Sequence, residues 1–162
     1  MDEVDEVQAA WRRERPDLVT EPMAVWSRVH RLAAIFDRER KRCFAEHELE
    51  IWEFDVLSAL RRSGQPYQLS PGQLLQRTHV TSGTMTNRID RLRSRGLVRR
   101  FGDPTDRRAA VIELTEQGRL AVDGALEALV RLEESLLAGW DGQQRDQLAG
   151  LLRRLLTAAS AP

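Results

Sequence analysis

The sequence predicts a mainly α-helical chain interrupted once by a small β-hairpin, and three observations carry that expectation. Apolar residues recur at helical spacing towards both ends, two short capped helices follow each other near the middle, and between residues 97 and 114 the apolar period becomes strand-like. The 162 residues, 41% of them apolar, suffice for one packed domain or a domain with an association element.

Taken in order, Val4, Val7 and Trp11 recur at i, i+3, i+7 and predict a short amphipathic helix that Pro16 ends. A long helix from about Pro22 to Glu46 should carry Val25, Val29, Leu32, Ala33, Phe36, Cys43 and Phe44 on one face, with its basic residues mostly elsewhere. The next, near 50–62, bears Phe54, Leu57 and Leu60 and stops before Ser63-Gly64-Gln65-Pro66. Ser70-Pro71-Gly72-Gln73 has the form of a capping box, with Ser at N-cap, Pro at N1 and Gln at N3. That short helix ends near Arg77-Thr78-His79-Val80. Thr81 or Ser82 then caps another, running to about Arg95 and stopped by Gly96. Two short helices joined by a tight turn form a helix-turn-helix.

Leu97 to Phe101 and Ala109 to Leu114 read as strands flanking the polar loop Gly102-Asp103-Pro104-Thr105-Asp106-Arg107-Arg108. Thr115 should cap a long helix through Leu120, Leu126, Leu129, Leu136 and Leu137. Asp141-Gly142-Gln143-Gln144 caps a last one bearing Leu148, Leu151, Leu152, Leu155 and Leu156. The expected division is 1–49 for the added and long helices, 50–114 for the helix-turn-helix with its hairpin, and 115–162 for the terminal helices.

Net charge is zero, yet it is segregated: −5 over residues 1–60, +8 over 61–112 and −3 over 113–162. A basic centre between acidic ends points to a polyanion bound by one local element. Every positive charge in that centre is Arg, whose planar fork suits phosphates and guanine edges; Arg-rich codon usage explains the residue type but not its placement. No uncharged apolar run approaches ~20 residues, and the chain opens acidic, so neither a membrane span nor a secretory signal fits and a cytoplasmic location is expected. No nucleophile–base pair, metal motif, phosphate loop or cofactor fingerprint stands out, which argues against an enzyme. Cys43, on the apolar stripe, reads as a core thiol, with Lys41 and Arg42 leaving oxidant sensing as the other reading. His30, His47 and His79 are too dispersed for a metal site.

At about 100° per residue, Met85, Ile89 and Leu92 share a narrow core-facing stripe. Gly83, Thr86, Asn87 and Arg91 fall outside it and, with Ser82 and Thr84, are the expected double-stranded DNA contacts in a major groove; an ordinary solvated face is the bland alternative. Asp90, on the same outer face, should orient a neighbouring arginine or sit clear of phosphate. Arg107 near the hairpin tip is assigned to a minor groove. Arg108, two residues from Asp106, at least partly holds the loop unless this is a plain surface turn.

The run Leu69-Ser70-Pro71, His79-Val80-Thr81-Ser82-Gly83-Thr84-Met85-Thr86-Asn87-Arg88, Gly96-Leu97-Val98, then Asp103-Pro104-Thr105-Asp106-Arg107-Arg108 and Leu114-Thr115-Glu116-Gln117-Gly118 resembles the MarR family of winged helix-turn-helix regulators. The resemblance implies a winged helix-turn-helix with a helical dimerisation region, a homodimer on a pseudo-palindromic operator, and repression relieved by a small ligand. Within that family it is similar to the urate-responsive branch, of the HucR and PecS type, which adds an N-terminal helix. By that resemblance Trp11, Asp55, Arg88 and Arg100 bind a small anion, urate or a related purine first and a polycarboxylate such as citrate or trans-aconitate next. Arg88, about 60° from Met85, is turned inward enough to meet a carboxylate, with Asp55 as the mate. The alternatives are a structural Asp55–Arg88 pair with Trp11 as a core anchor, a winged-helix module that docks protein, and constitutive DNA binding.

Overall fold

A computed structural model describes residues 1–78, 80–102 and 110–160. Among them the elements run α1 (Glu3–Glu14), α2 (Glu21–Ala45), α3 (Ile51–Arg61), β1 (Gln68–Leu69), α4 (Pro71–Thr78), α5 (Ser82–Ser94), β2 (Val98–Gly102), β3 (Ala110–Leu114), α6 (Glu116–Leu136) and α7 (Gly142–Ala159). His79, Arg107 and Arg108 lie outside the described residues.

Helix starts sit where short polar side chains satisfy the first free N–H groups. Ser70 and Gln73 form the expected reciprocal box before α4, the Gln73 N–H donating to Ser70 Oγ at 3.2 Å and the Ser70 N–H to Gln73 Oε1 at 2.8 Å. Asp141 and Gln144 repeat it before α7, and Thr115 Oγ1 accepts from the Gly118 N–H at 3.0 Å before α6. At α5 the N-cap is Thr81, whose hydroxyl lies 3.0 Å from that of Thr84 rather than bonding the backbone. Gly96, at φ +72°, releases the chain from α5 in a conformation that favours glycine.

The hairpin forms as expected, with Val98 opposite Leu114, Arg100 opposite Ile112 and Gly102 opposite Ala110. β1 completes a three-stranded antiparallel sheet in the order β1-β3-β2. Its two residues are too few to show a period, and only pairing with β3 makes them a strand. Thr115 then ties the sheet to α6, its hydroxyl donating to Gly96 O at 2.8 Å. Helix and strand approach so closely that a Cβ on Gly118 would stand 2.1 Å from Leu97 O.

The core gathers Val56, Leu57 and Leu60 of α3, Leu74 of α4, Met85, Ile89 and Leu92 of α5, Ile112 and Leu114 of β3, and Val122, Ala125 and Leu129 of α6. Phe44, at the end of α2, stacks on Phe54 with ring centroids 4.2 Å apart. The apolar face expected along α2 is covered only in this last part, where Phe36 and Cys43 also pack on the core. Further towards its start Val25, Trp26, Leu32 and Ile35 are exposed, and α7 buries none of its residues despite its leucine stripe. Nothing among the described residues folds over these faces. Burying one such side chain is worth about 1.5–3 kcal/mol, so a surface this apolar favours association.

Candidate nucleic-acid interface

Helix α5 presents two different surfaces. Met85, Ile89 and Leu92 are each no more than 2% exposed and fix it to the core. Ser82, Gly83, Thr84, Thr86 and Asn87 all lie in solvent on its first turns. Thr86 Oγ1 donates back to Ser82 O at 3.2 Å, and a Cβ on Gly83 would meet nothing within 4 Å. These positions therefore serve no packing inside the chain. The arrangement leaves hydroxyl, amide and bare backbone facing outward, the groups that bond base edges and phosphates. Asp90 reaches Arg93 at 3.5 Å on the same outer side, the orienting contact expected of it. Arg93 was not among the expected contacts, although its spacing from Asp90 was a usable signal.

Arg91 behaves differently from the other expected contacts. Its guanidinium donates to Glu50 Oε1 at 3.0 Å and lies 4.7 Å from the centroid of the Trp52 ring. Arg88 lies over the same ring at 5.5 Å. The Trp52 indole N–H donates to Glu50 Oε2 at 2.7 Å, so one carboxylate clamps both the indole and Arg91. The indole bond first, then Arg91, hold the Glu50 carboxyl below its ordinary range. One turn along, Arg95 pairs with Glu53 at 2.5 Å and donates to Glu48 O at 2.7 Å. Glu53, only 2% exposed, also accepts from the Glu50 N–H at 3.0 Å. Arg88, Arg91 and Arg95 are spaced i, i+3, i+7, so they share one flank of α5, which rests on the first turn of α3.

The expected Asp55–Arg88 pair does not form. Asp55 Oδ1 instead accepts from Arg40 Nη2 at 3.2 Å. Arg40 is the more demanding partner: mostly covered, and lying over Phe36 and Phe44 at 5.8 and 5.4 Å, it needs a carboxylate, whereas Arg88 has an aromatic face. Arg88 nonetheless lies over Trp52, about one turn before Asp55 on α3. Arg100 is exposed on β2 opposite Ile112, and beside it Arg99 pairs with Glu113, which also accepts from Gln68 Nε2 at 2.6 Å.

Trp11 stands apart, half exposed near the end of α1. Helix α1 runs antiparallel to α2: Arg28 pairs with Asp2 and Asp5 at 2.8 and 2.7 Å, Arg31 with Glu3, and Arg12 with Glu21 at 3.8 Å. Trp11 thus lies beside the start of α2, and Asp55 beside its end. A single chain does not bring the four anion candidates together. An open groove of about 990 Å³ lies along α2 among Trp26, His30, Leu32 and Ile35, away from those residues. Burial, the leading cause, pushes the Cys43 thiol up, as a half-buried core thiol requires rather than a reactive thiolate.

Residues 47–109 match the MarR family. The HTH-type transcriptional regulator PecS of Dickeya dadantii is 36% identical over 153 residues, covering 94% of this chain and 92% of that one. Among solved structures, the MarR-family regulator Sco3205 of Streptomyces coelicolor, in complex with DNA, superposes with a TM-score of 0.76 at 19% identity, covering 89% and 91% of the two chains. BpsR of Bordetella bronchiseptica, whose DNA binding is regulated by 6-hydroxynicotinic acid, gives 0.62 at 26% identity, covering 79% and 98%.

Proposed function

Since the chain belongs to the MarR family of transcriptional regulators, we propose that it is a homodimeric repressor released from a pseudo-palindromic operator by a small anion, with urate or a related purine first. Its biochemical class is sequence-specific DNA-binding regulation, and no catalytic role is assigned to it. The observation that carries the reading is the outer face of α5, where Ser82, Gly83, Thr84, Thr86 and Asn87 stand free on a helix anchored by a buried stripe. That helix lies in the segment of charge +8.

Residues 50–114 are then the DNA-binding region, and the segments 1–49 and 115–162 associate two copies through the exposed faces of α2, α6 and α7. Two α5 helices held by an isologous interface would enter successive major grooves about 34 Å apart. Arg107 extends the grip into an adjacent minor groove, with Arg108 at least partly holding the loop that carries it. The partner being chromosomal DNA, we place the protein in the cytoplasm.

Arg91 joins this scheme as a shared residue: the Glu50–Trp52 clamp sets its position on the border of the DNA-reading face. An anion that draws Arg88 off the Trp52 ring loosens the same flank, which Arg91 and Arg95 also secure. Release follows only if the anion binds the loosened state more tightly than the DNA-competent one.

The test is gel-shift binding to the upstream intergenic duplex at fixed salt, with urate, citrate and trans-aconitate titrated separately. Release by urate at the lowest concentration supports the reading. Release by citrate or trans-aconitate first transfers the site to a polycarboxylate, and retention with all three leaves a constitutive DNA binder. Absence of binding at low ionic strength favours a module that docks protein.

A further inference from the structure

We infer that Glu50 and Trp52, where α3 begins, help set the DNA specificity of this chain: they seat Arg91 for a base edge and withhold it from backbone phosphate. The inference rests on the reading of α5 as the DNA-reading helix, and it adds two residues of another helix to that task. The arginines of the basic centre do not face DNA as bare charges. Four carboxylates from outside residues 61–112 fold onto them: Glu50 onto Arg91, Glu53 onto Arg95, Glu113 onto Arg99 and Asp123 onto Arg61. The charge of +8 along that segment is therefore much reduced in the folded chain. Such charge attracts any duplex whatever its sequence, so the pairing lowers the non-specific grip first.

Three of these carboxylates belong to the framework. Glu53 is only 2% exposed, and the side chains of Glu113 and Asp123 are largely covered. The Arg91–Glu50 pair differs, since more than half of each side chain is exposed. Thr84, Asn87 and Arg91 follow at i, i+3, i+7, so Arg91 shares a stripe of α5 with two of the expected DNA contacts. It is the pair that a duplex can reach.

An exposed ion pair alone holds a side chain weakly. Here the Trp52 ring gives the guanidinium a second surface at 4.7 Å, and its indole N–H anchors the same carboxylate at 2.7 Å. Trp52 thus fixes both partners. Arg91 Nη2 carries the bond to Glu50, and among the described residues the other N–H groups of that guanidinium meet no acceptor. A fork seated in this way can serve an acceptor at a fixed place, as a base edge is once α5 has docked. Reaching a phosphate at an arbitrary register requires it to leave both ring and carboxylate.

Binding measured by anisotropy over a range of salt tests the assignment, with the upstream intergenic duplex and a scrambled duplex of equal length. Glu50→Gln keeps an oxygen for the indole N–H and removes the charge that holds Arg91. On the scrambled duplex its affinity should rise about tenfold, and log K should fall more steeply with log salt, by about 0.9 for each subunit, as one added phosphate contact requires. Affinity for the upstream duplex should rise less, so the ratio between the two narrows. Trp52→Leu should narrow it likewise, and Trp52→Phe should restore most of it because a ring face remains.

In an Arg91→Ala background Glu50→Gln should no longer steepen the slope. A steepening that persists there overturns the inference, because Glu50 then acts through its own charge and not through Arg91. An unchanged slope for Glu50→Gln, or equal tightening on both duplexes, also overturns it while leaving α5 as the DNA-reading helix. A wild type that binds neither duplex removes that reading and the inference together, so the two failures are told apart.

Discussion

Glu50 illustrates how one exposed carboxylate can organise several cations. It accepts from the Trp52 indole and from Arg91, and those partners lower its proton affinity in the folded state. A carboxylate whose folded pKa is depressed contributes stability that is present above its unfolded value, about 4.3, and is lost as pH falls through the lower folded value. The group is solvent-exposed, so the contribution is small, below about 1 kcal/mol. Thermal melts of wild type and Glu50→Gln should therefore differ slightly at pH 7 and converge as pH drops below 4. Arg95→Ala should be far more costly, by about 3 kcal/mol in urea denaturation, because it leaves Glu53 buried without its cation. For DNA reading, Asn87→Ala should lower discrimination among operator base substitutions by about 1–3 kcal/mol while leaving the oligomeric state unchanged, as competition gel shifts and sedimentation would show.

Among the elements, α6 and the hairpin meet closely at Gly118. A methyl group on Gly118 has no room beside Leu97 O, so Gly118→Ala should destabilise the protein by about 1–3 kcal/mol and lower the thermal midpoint. The helices were legible in the sequence because their signals are local: Ser70 with Gln73, Thr115 with Gly118 and Asp141 with Gln144 each act within one turn. The inner stripe of α5 was legible from its spacing. β1 was not, since Gln68 and Leu69 become a strand only by pairing with Glu113 and Ile112. The diversion of Arg91 to Glu50, and the choice of Arg40 over Arg88 by Asp55, join residues distant in sequence and hence lay beyond any periodicity. Resemblance alone selected Trp11, Asp55, Arg88 and Arg100, and it carried no information on the length of α2 that separates the first two.

For the molecule as a whole, the distribution of exposed apolar surface links stability to function. Leu151, Leu152 and Leu156 of α7, with Leu32 and Ile35 of α2, are uncovered in one chain, and a second copy is the proposed cover. Leu152→Glu combined with Leu156→Glu should shift sedimentation to a single subunit, with operator affinity falling in parallel because one α5 cannot hold two half-sites. The central claim is that paired basic centres grip duplex DNA through phosphates and base edges. Fluorescence anisotropy of the labelled upstream duplex, titrated with the dimer over a range of salt concentrations, tests it most directly. The account predicts a linear, steep fall of log K with log salt, as counterions released from several phosphates require. A salt-independent affinity, or none at low ionic strength, would contradict it.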